Sequence, residues 1–187
     1  MTLGDWQRLG DELLVRYKVF EVVKSRRRSP RTGTEVGFFL VRTPDWVIVV
    51  AFTDTDELLL VRQYRHGTGQ FSLEIPGGLI DPHEQPAAAA ARELREETGH
   101  TAQHLEPLGV MTPNPAIFTN RCHAFLATGC RPVGELEQDP GEDLAVERVP
   151  GRDLDQLIRA GKIDHALVLA AFALLGARGS GKVPSAR

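Results

Sequence analysis

Long apolar runs are missing from this chain. No stretch approaches the ~20 residues that a membrane-crossing helix needs, and the opening Met-Thr-Leu-Gly-Asp-Trp lacks the basic-then-apolar order of a secretory leader. Cysteine is scarce as well: Cys122 and Cys130 are the only two. They fall on or near one expected strand with no second pair beside them, so buried free thiols are expected rather than a disulfide or a zinc site. Six histidines (His66, His83, His100, His104, His123 and His165) show no nitrogen-ligand spacing. Nor is one sign of charge dominant, since 22 Lys and Arg stand against 25 Asp and Glu. The net charge of −3 gives a nucleic acid or a membrane surface no electrostatic reason to bind. What remains is an ordinary globular composition, 42% hydrophobic over 187 residues, enough for one well-filled core. The expectation is a cytoplasmic protein with polyanion binding disfavoured.

Against that background one segment concentrates charge. Gly78-Leu-Ile-Asp-Pro-His-Glu84 leads through Gln-Pro and five alanines to Arg92-Glu-Leu-Arg-Glu-Glu-Thr-Gly99. Pro86 suits a first helical turn, the alanines and Leu94 favour helix, and Gly99 supplies the stop, which predicts a helix over about 86–98. At roughly 100° per residue, Ala87, Ala90, Ala91 and Leu94 form an apolar stripe while Glu93, Glu96 and Glu97 share an adjacent face. Carboxylates one turn apart raise one another's pKa unless a cation lies between them. Oxygen ligands select a hard cation such as Mg²⁺ or Mn²⁺. A solvated helix surface would explain the Arg92 and Glu96 pairing at i, i+4. It would leave unexplained Glu84 in the preceding loop and the excess of like charge.

This constellation resembles the Nudix hydrolase box, Gly-x5-Glu-x7-Arg-Glu-aliphatic-x-Glu-Glu-x-Gly-aliphatic, matched here at Gly78, Glu84, Arg92, Glu93, Leu94, Glu96, Glu97 and Gly99. The last position departs, with His100 in place of an aliphatic residue. Further stretches are similar to the ADP-ribose (ADP-sugar) pyrophosphatase-like subfamily. Leu60-Val-Arg-Gln-Tyr-Arg-His66 and Leu73-Glu-Ile-Pro-Gly-Gly78 resemble the entry to the box, where an Arg and a Glu-x-Pro-x-Gly turn line the cleft. Met111-Thr-Pro-Asn-Pro115 resembles the downstream proline segment. Gly141-Glu-Asp-Leu-Ala-Val146 and Gly161-Lys-Ile-Asp-His165 resemble the acidic loop and the entry to the final helix.

The resemblance implies a metal-dependent nucleotide-sugar diphosphatase that cuts ADP-ribose, or a related NDP-sugar, to a nucleoside monophosphate and a sugar phosphate. Its metal site would comprise Glu93, Glu96, Glu97 and Glu84 with Gly78 beside them, holding two or three Mg²⁺ or Mn²⁺ ions. Catalysis would fall to Glu96, Glu97 and Glu142, the last as general base, with Asp143 and Glu137 as fallbacks. Arg92 would orient a glutamate, and Arg65, Glu74 and Pro113 would line the substrate site. For Arg65 a cross-strand ion pair is the competing reading. A homodimer is implied too, with N-terminal strands crossing to the partner and helping to bind the base. Other readings are a Nudix enzyme for GDP-mannose or nucleoside triphosphates, and a catalytically silent nucleotide-binding module.

The rest of the pattern agrees with an α/β fold. Residues 12–23 and 35–41 are β-rich around a turn at Arg31-Thr-Gly33 and read as a hairpin. Arg26, Arg27 and Arg28 read as a solvated loop. Residues 46–52 and 58–62 read as central strands joined by a tight turn, and 104–112, 122–128 and 144–149 as further strands. Helices are predicted at 153–160 and 165–177. Strands around one helix, with more helices at the end, predict a mixed sheet between helical layers. The resemblance makes this an α/β/α sandwich, divided as a β-rich region over 1–44, a Nudix domain over 45–178 and a loose tail over 179–187.

Overall fold

The computed structural model describes residues 4–134 and 143–178. Two compact units emerge: one from 1–45 with 112–121, the other from 46–111 with 122–187.

In the first unit, β1 (Gln7–Arg16), β2 (Glu21–Arg28) and β3 (Glu35–Arg42) form an antiparallel sheet in that order. The expected hairpin is therefore three strands. The β2–β3 turn falls where Arg31-Thr-Gly33 placed it, with Gly33 at φ 71°. The run 12–23, however, breaks at Tyr17, whose N–H donates to Phe20 O at 2.8 Å. Tyr-Lys-Val-Phe carries no Gly, Pro, Asn or Asp, so composition hid that turn. The three arginines stand on β2 rather than in a loop, alternating between its faces. Residues 112–121 join this unit through Val41 N–H to Ile117 O at 2.7 Å and Thr119 N–H to Val41 O at 3.1 Å.

The second unit holds an eight-stranded mixed sheet. Its path is β11 (Leu144–Pro150), β5 (Glu57–Arg65), β4 (Trp46–Thr53), β10 (Cys122–Pro132) and β8 (His100–Thr101). Strands β6 (Gln70–Glu74), β7 (Gly77–Leu79) and β9 (His104–Met111) attach to β5, β4 and β10. Period-two alternation along β4 divides the core between the sheet's faces. Val47, Val49 and Ala51 join Leu59, Phe125 and Ala127 against Ala89, Ala90 and Leu94 of α1 (Pro86–Thr98). Ile48, Val50 and Phe52 join Leu58, Leu60, Ala124 and Leu126 against Val168, Ala171 and Phe172 of α3 (Ala166–Ala177). Helix α2 (Leu154–Arg159) follows a 3-10 turn at Gly151–Asp153 and packs Leu157 and Ile158 against the same side. Helices thus cover both faces, as an α/β/α sandwich requires.

Helix α1 keeps its expected limits, closed by Gly99 at φ 67° with its N–H on Arg95 O at 2.8 Å. Its phase differs from the predicted stripe. Ala87 and Ala91 are exposed, whereas Ala89, Ala90, Glu93, Leu94 and Glu97 are buried. An alanine run has little amphipathic contrast, so the burying face is chosen by Leu94, worth about 1.5–3 kcal/mol when fully buried, and by what the glutamates meet. Cys122 and Cys130 are buried thiols on β10, outside any disulfide. Burial pushes the Cys130 thiol up to about 12. Among the described residues no helix is long and apolar enough to cross a membrane.

Candidate active site

The site is built where β7 turns into α1. Gly77 and Gly78 pair with Ile48 and Val47 of β4. Each glycine is required by close approach. A Cβ on Gly77 would stand 2.3 Å from Val47 O, and one on Gly78 would stand 2.3 Å from Glu93 Oε1. The Glu93 carboxylate therefore packs directly on the bare Cα of Gly78. Glu97, one turn further along α1, accepts the Gly77 N–H at Oε2, 2.8 Å away. Glu93 and Glu97 are only 8% and 4% exposed.

Arg92 ties these acids together. Its Nε donates to Glu84 Oε1 and its Nη2 to Glu84 Oε2, both at 3.0 Å. Nη1 donates to Glu93 Oε1 at 2.8 Å and to Glu96 Oε2 at 3.0 Å, and Nη2 also reaches Leu79 O at 2.9 Å. One guanidinium thus uses its rigid fork on three carboxylates and a carbonyl. The Arg92 hydrogen bonds, and the Asp81 N–H behind them, hold the Glu84 carboxyl below the usual range. The same Glu84 contact raises the Arg92 pKa further. Glu84 is presented by a tight loop in which its N–H donates to Asp81 O at 3.0 Å and its Oε2 accepts from Asp81 N at 3.1 Å. His83 adopts φ 71° there, left-handed backbone uncommon outside glycine. Strain of this kind is tolerated where the surroundings over-determine it.

The i, i+3, i+4 spacing thus brings Glu93, Glu96 and Glu97 to one face, and Arg92 adds Glu84 from the loop. Arg95 adds a second guanidinium, its Nη2 3.4 Å from Glu96 Oε1, so four carboxylates stand against two arginines in a half-buried setting, and the donor set is all hard oxygen, which fits a divalent cation. The spacing itself is governed by Arg92. Among the described residues no group of three His, Cys, Asp or Glu side chains is arranged to hold a metal ion.

On β5 and β6, Arg65 grips Glu74 by two parallel bonds, Nε to Oε1 and Nη2 to Oε2, each 2.8 Å. The cross-strand ion pair weighed for Arg65 is therefore formed. Glu74 is 3% exposed, and burial alone would raise its pKa; Arg65, together with the charge of His165, brings it below the usual value instead. Pro113 folds with the first unit, in the segment 112–121. Glu142 and Glu137 lie outside the described residues, and Asp143 is exposed immediately before β11.

His100, the departure from the box pattern, is buried at the start of β8, with its Nδ1 2.6 Å from Thr98 O. An Nδ1–H donating to that carbonyl satisfies the imidazole where an aliphatic residue would only pack. One feature escaped the sequence: the clasp of Arg92 on Glu84, eight residues away, spans a loop whose path local pattern does not specify.

The comparisons with known proteins follow this geometry. A NUDIX domain model matches residues 42–172. An ADP-ribose pyrophosphatase of Mycobacterium tuberculosis is 31% identical over 172 residues, covering 91% of this chain and 83% of the relative. The ADP compounds hydrolase NudE of Escherichia coli is 33% identical over 139 residues, 73% of this chain and 74% of the relative. A CMP-5'-(N-acetyl-N-hydroxy-3-aminopropyl)phosphonate hydrolase of Streptomyces rubellomurinus is 30% identical, covering 81% and 74%. A crystal structure of an ADP compounds hydrolase superposes with a TM-score of 0.85 at 29% identity, covering 98% of this chain and 100% of that one. The expected resemblance to ADP-ribose pyrophosphatases is met by these relatives, and with the glutamate helix and its arginine clasp in place the chain belongs to the Nudix hydrolase family.

Proposed function

We propose that this Nudix hydrolase cleaves the pyrophosphate bond of ADP-ribose or a closely related nucleoside diphosphate sugar, releasing a nucleoside monophosphate and a sugar phosphate. The observation that carries the reading is the gathering of Glu84, Glu93 and Glu96 around Arg92 beside Glu97. Relatives bearing ADP-ribose and ADP-compound names align over most of their length, which supports the substrate class.

Glu93, Glu96 and Glu97 would hold Mg²⁺ or Mn²⁺, with Glu84 and the Gly78 backbone beside them; such ions neutralise the leaving phosphate and acidify water. The chain's own residues do the rest. Arg92 fixes the rotamers of Glu93 and Glu96, so their carboxylates are placed before substrate arrives. The Gly77 N–H does the same for Glu97. Arg65, half-exposed where it pairs with the buried Glu74, would meet a phosphate or ribose oxygen. Glu142 is our choice of general base, on the resemblance of Gly141-Glu-Asp-Leu-Ala-Val146 to the family's acidic segment. Asp143 and Glu137 stand next in line.

A homodimer fits the exposed apolar side chains of the three-stranded sheet, among them Phe39 at 61% and Leu13 at 48%. The test is a panel of ADP-ribose, other NDP-sugars, dinucleoside polyphosphates, NADH, CoA and nucleoside triphosphates with Mg²⁺ and Mn²⁺ and with product identification. ADP-ribose or a close NDP-sugar should show the highest kcat/KM. A triphosphate at the head of the panel would overturn the subfamily reading, and light scattering on the purified protein decides the dimer.

A further inference from the structure

At His100 the side chain makes a bond that an aliphatic residue cannot. The imidazole is buried at the start of β8, with Nδ1 2.6 Å from Thr98 O. A carbonyl only accepts, so Nδ1 carries the proton and donates it. Thr98 is the last residue of α1 and is itself 4% exposed. The final carbonyls of a helix have no partner within it, and a buried one left open is costly. The imidazole therefore closes the C-terminal end of α1, as basic side chains near that end can.

That end carries Glu97. The residue lies one position before the last of α1, and its Oε2 accepts the Gly77 N–H at 2.8 Å. Helix ends fray, and a last turn that opens takes the Glu97 carboxylate off Gly77 and away from Glu93, one turn back. Main-chain bonds resist this: Gly99 N–H donates to Arg95 O at 2.8 Å, and Val133 N–H to Gly99 O at 2.8 Å. Both are indifferent to the side chain at position 100. The bond from His100 to Thr98 O depends on residue type. Strand β8 is only 2 residues long and is fixed to β10 by the pairs of Thr101 with Arg131 and of His100 with Pro132. The imidazole is thus presented to the helix from an anchored backbone.

We propose that His100 is a positioning residue for the cation site, whose Nδ1–H holds the last turn of α1 closed through Thr98 O and so keeps Glu97 in place to hold Mg²⁺ or Mn²⁺. This rests on the reading of Glu97 as a metal ligand. His100 acts through the helix end rather than on cation or substrate, so its effect falls on metal affinity and leaves the KM for substrate at saturating metal unchanged.

The test compares wild type with Glu97→Gln, His100→Leu, His100→Asn and the double variant Glu97→Gln/His100→Leu. Mn²⁺ binding is read from the paramagnetic resonance signal of the free ion, and hydrolysis of ADP-ribose is followed across a range of Mg²⁺ concentrations. Leu keeps bulk and donates nothing, whereas Asn returns an N–H close to the position of Nδ1. His100→Leu is expected to raise both the Mn²⁺ Kd and the Mg²⁺ concentration for half-maximal rate about tenfold, the lower end of the cost of losing a group that orients a ligand. The KM for ADP-ribose at saturating Mg²⁺ should stay within about a factor of two. His100→Asn should recover most of the loss, and in the Glu97→Gln background the Leu substitution should add nothing. A wild-type Mn²⁺ Kd in His100→Leu, even with a lowered Tm, an Asn variant as impaired as Leu, or full additivity with Glu97→Gln overturns the proposal. Glu97→Gln with wild-type Mn²⁺ affinity would instead overturn the Glu97 reading on which it rests. A wild type that binds Mn²⁺ and leaves ADP-ribose uncut overturns the substrate reading alone, because the metal titration stands without it. Should the Leu variant fail to fold, the imidazole nitrogen resonances of wild type decide. His100 must appear as the Nδ1–H tautomer and its signal must move as Mg²⁺ is added; an Nε2–H ring, or a signal indifferent to Mg²⁺, sinks the idea.

Discussion

Arg92 and Glu84 face each other through two parallel bonds of 3.0 Å, joining the middle of α1 to the loop that precedes it. The same arginine reaches Glu93 and Glu96, so one guanidinium ties the loop to the acidic helix face. Lysine keeps the charge and loses the fork. Arg92→Lys is therefore expected to lower activity about 10–100-fold, the usual effect of removing an orienting group behind a ligand, while circular dichroism shows the fold retained. Activity within a factor of about two would mean that the glutamates are placed by something other than Arg92.

The divalent cation proposed for this acidic face is tested by chelation. Activity should vanish in EDTA and return with Mg²⁺ or Mn²⁺. Glu97→Gln, which keeps the size of the side chain bonded to Gly77, is expected to cost about 10²–10³ in kcat. Full turnover in chelator would remove the metal from the scheme.

Glu142 lies on a different segment from the acidic helix, and the role given to it is separable from binding. Glu142→Gln should lower kcat by about 10²–10⁴, the share of general-base catalysis, with the Kd for ADP-ribose near that of wild type by calorimetry. If Glu142→Gln is silent while Asp143→Asn or Glu137→Gln is impaired, the loop is right and the residue wrong.

Acid stability carries a sign that can be checked. Asp11 is held at about 2, against 3.8 for a free carboxyl, first by its hydrogen bond from Arg8 and then by those from Ser25 and by Arg42. A carboxyl whose folded pKa is depressed contributes stability above its unfolded pKa and loses it as pH falls through the folded one. The Asp11 contribution should therefore be whole above pH 3.8 and fade towards pH 2. In melting experiments the gap in Tm between wild type and Asp11→Asn should be constant from pH 7 to 5 and shrink on acidification. A gap that persists at pH 2 would show that Asp11 acts through packing rather than charge.

Residue order alone settled the extent of α1, because Pro86, the alanine run and Gly99 act through local backbone preferences that need no partner. It also settled that Glu93, Glu96 and Glu97 share a face, since helical periodicity places i, i+3 and i+4 together wherever the helix lies. Strands β4 and β5 were readable for a similar reason: short apolar runs around Asp54-Thr-Asp56 leave few alternatives. Tertiary structure decided the rest. Which side of an alanine-rich helix is buried depended on the sheet beneath it, and that sheet buried Glu93 and Glu97 where the stripe had placed Ala87 and Ala91. The turn at Tyr17 could not be seen in residues with strand preferences, because it is imposed by pairing with β2. Arg92 could have met any of several acids, and only the path of the 80–85 loop selected Glu84. The two-bond pairing of Arg65 on β5 with Glu74 on β6 depends on strand register, and contacts between segments leave no periodic trace in a single sequence.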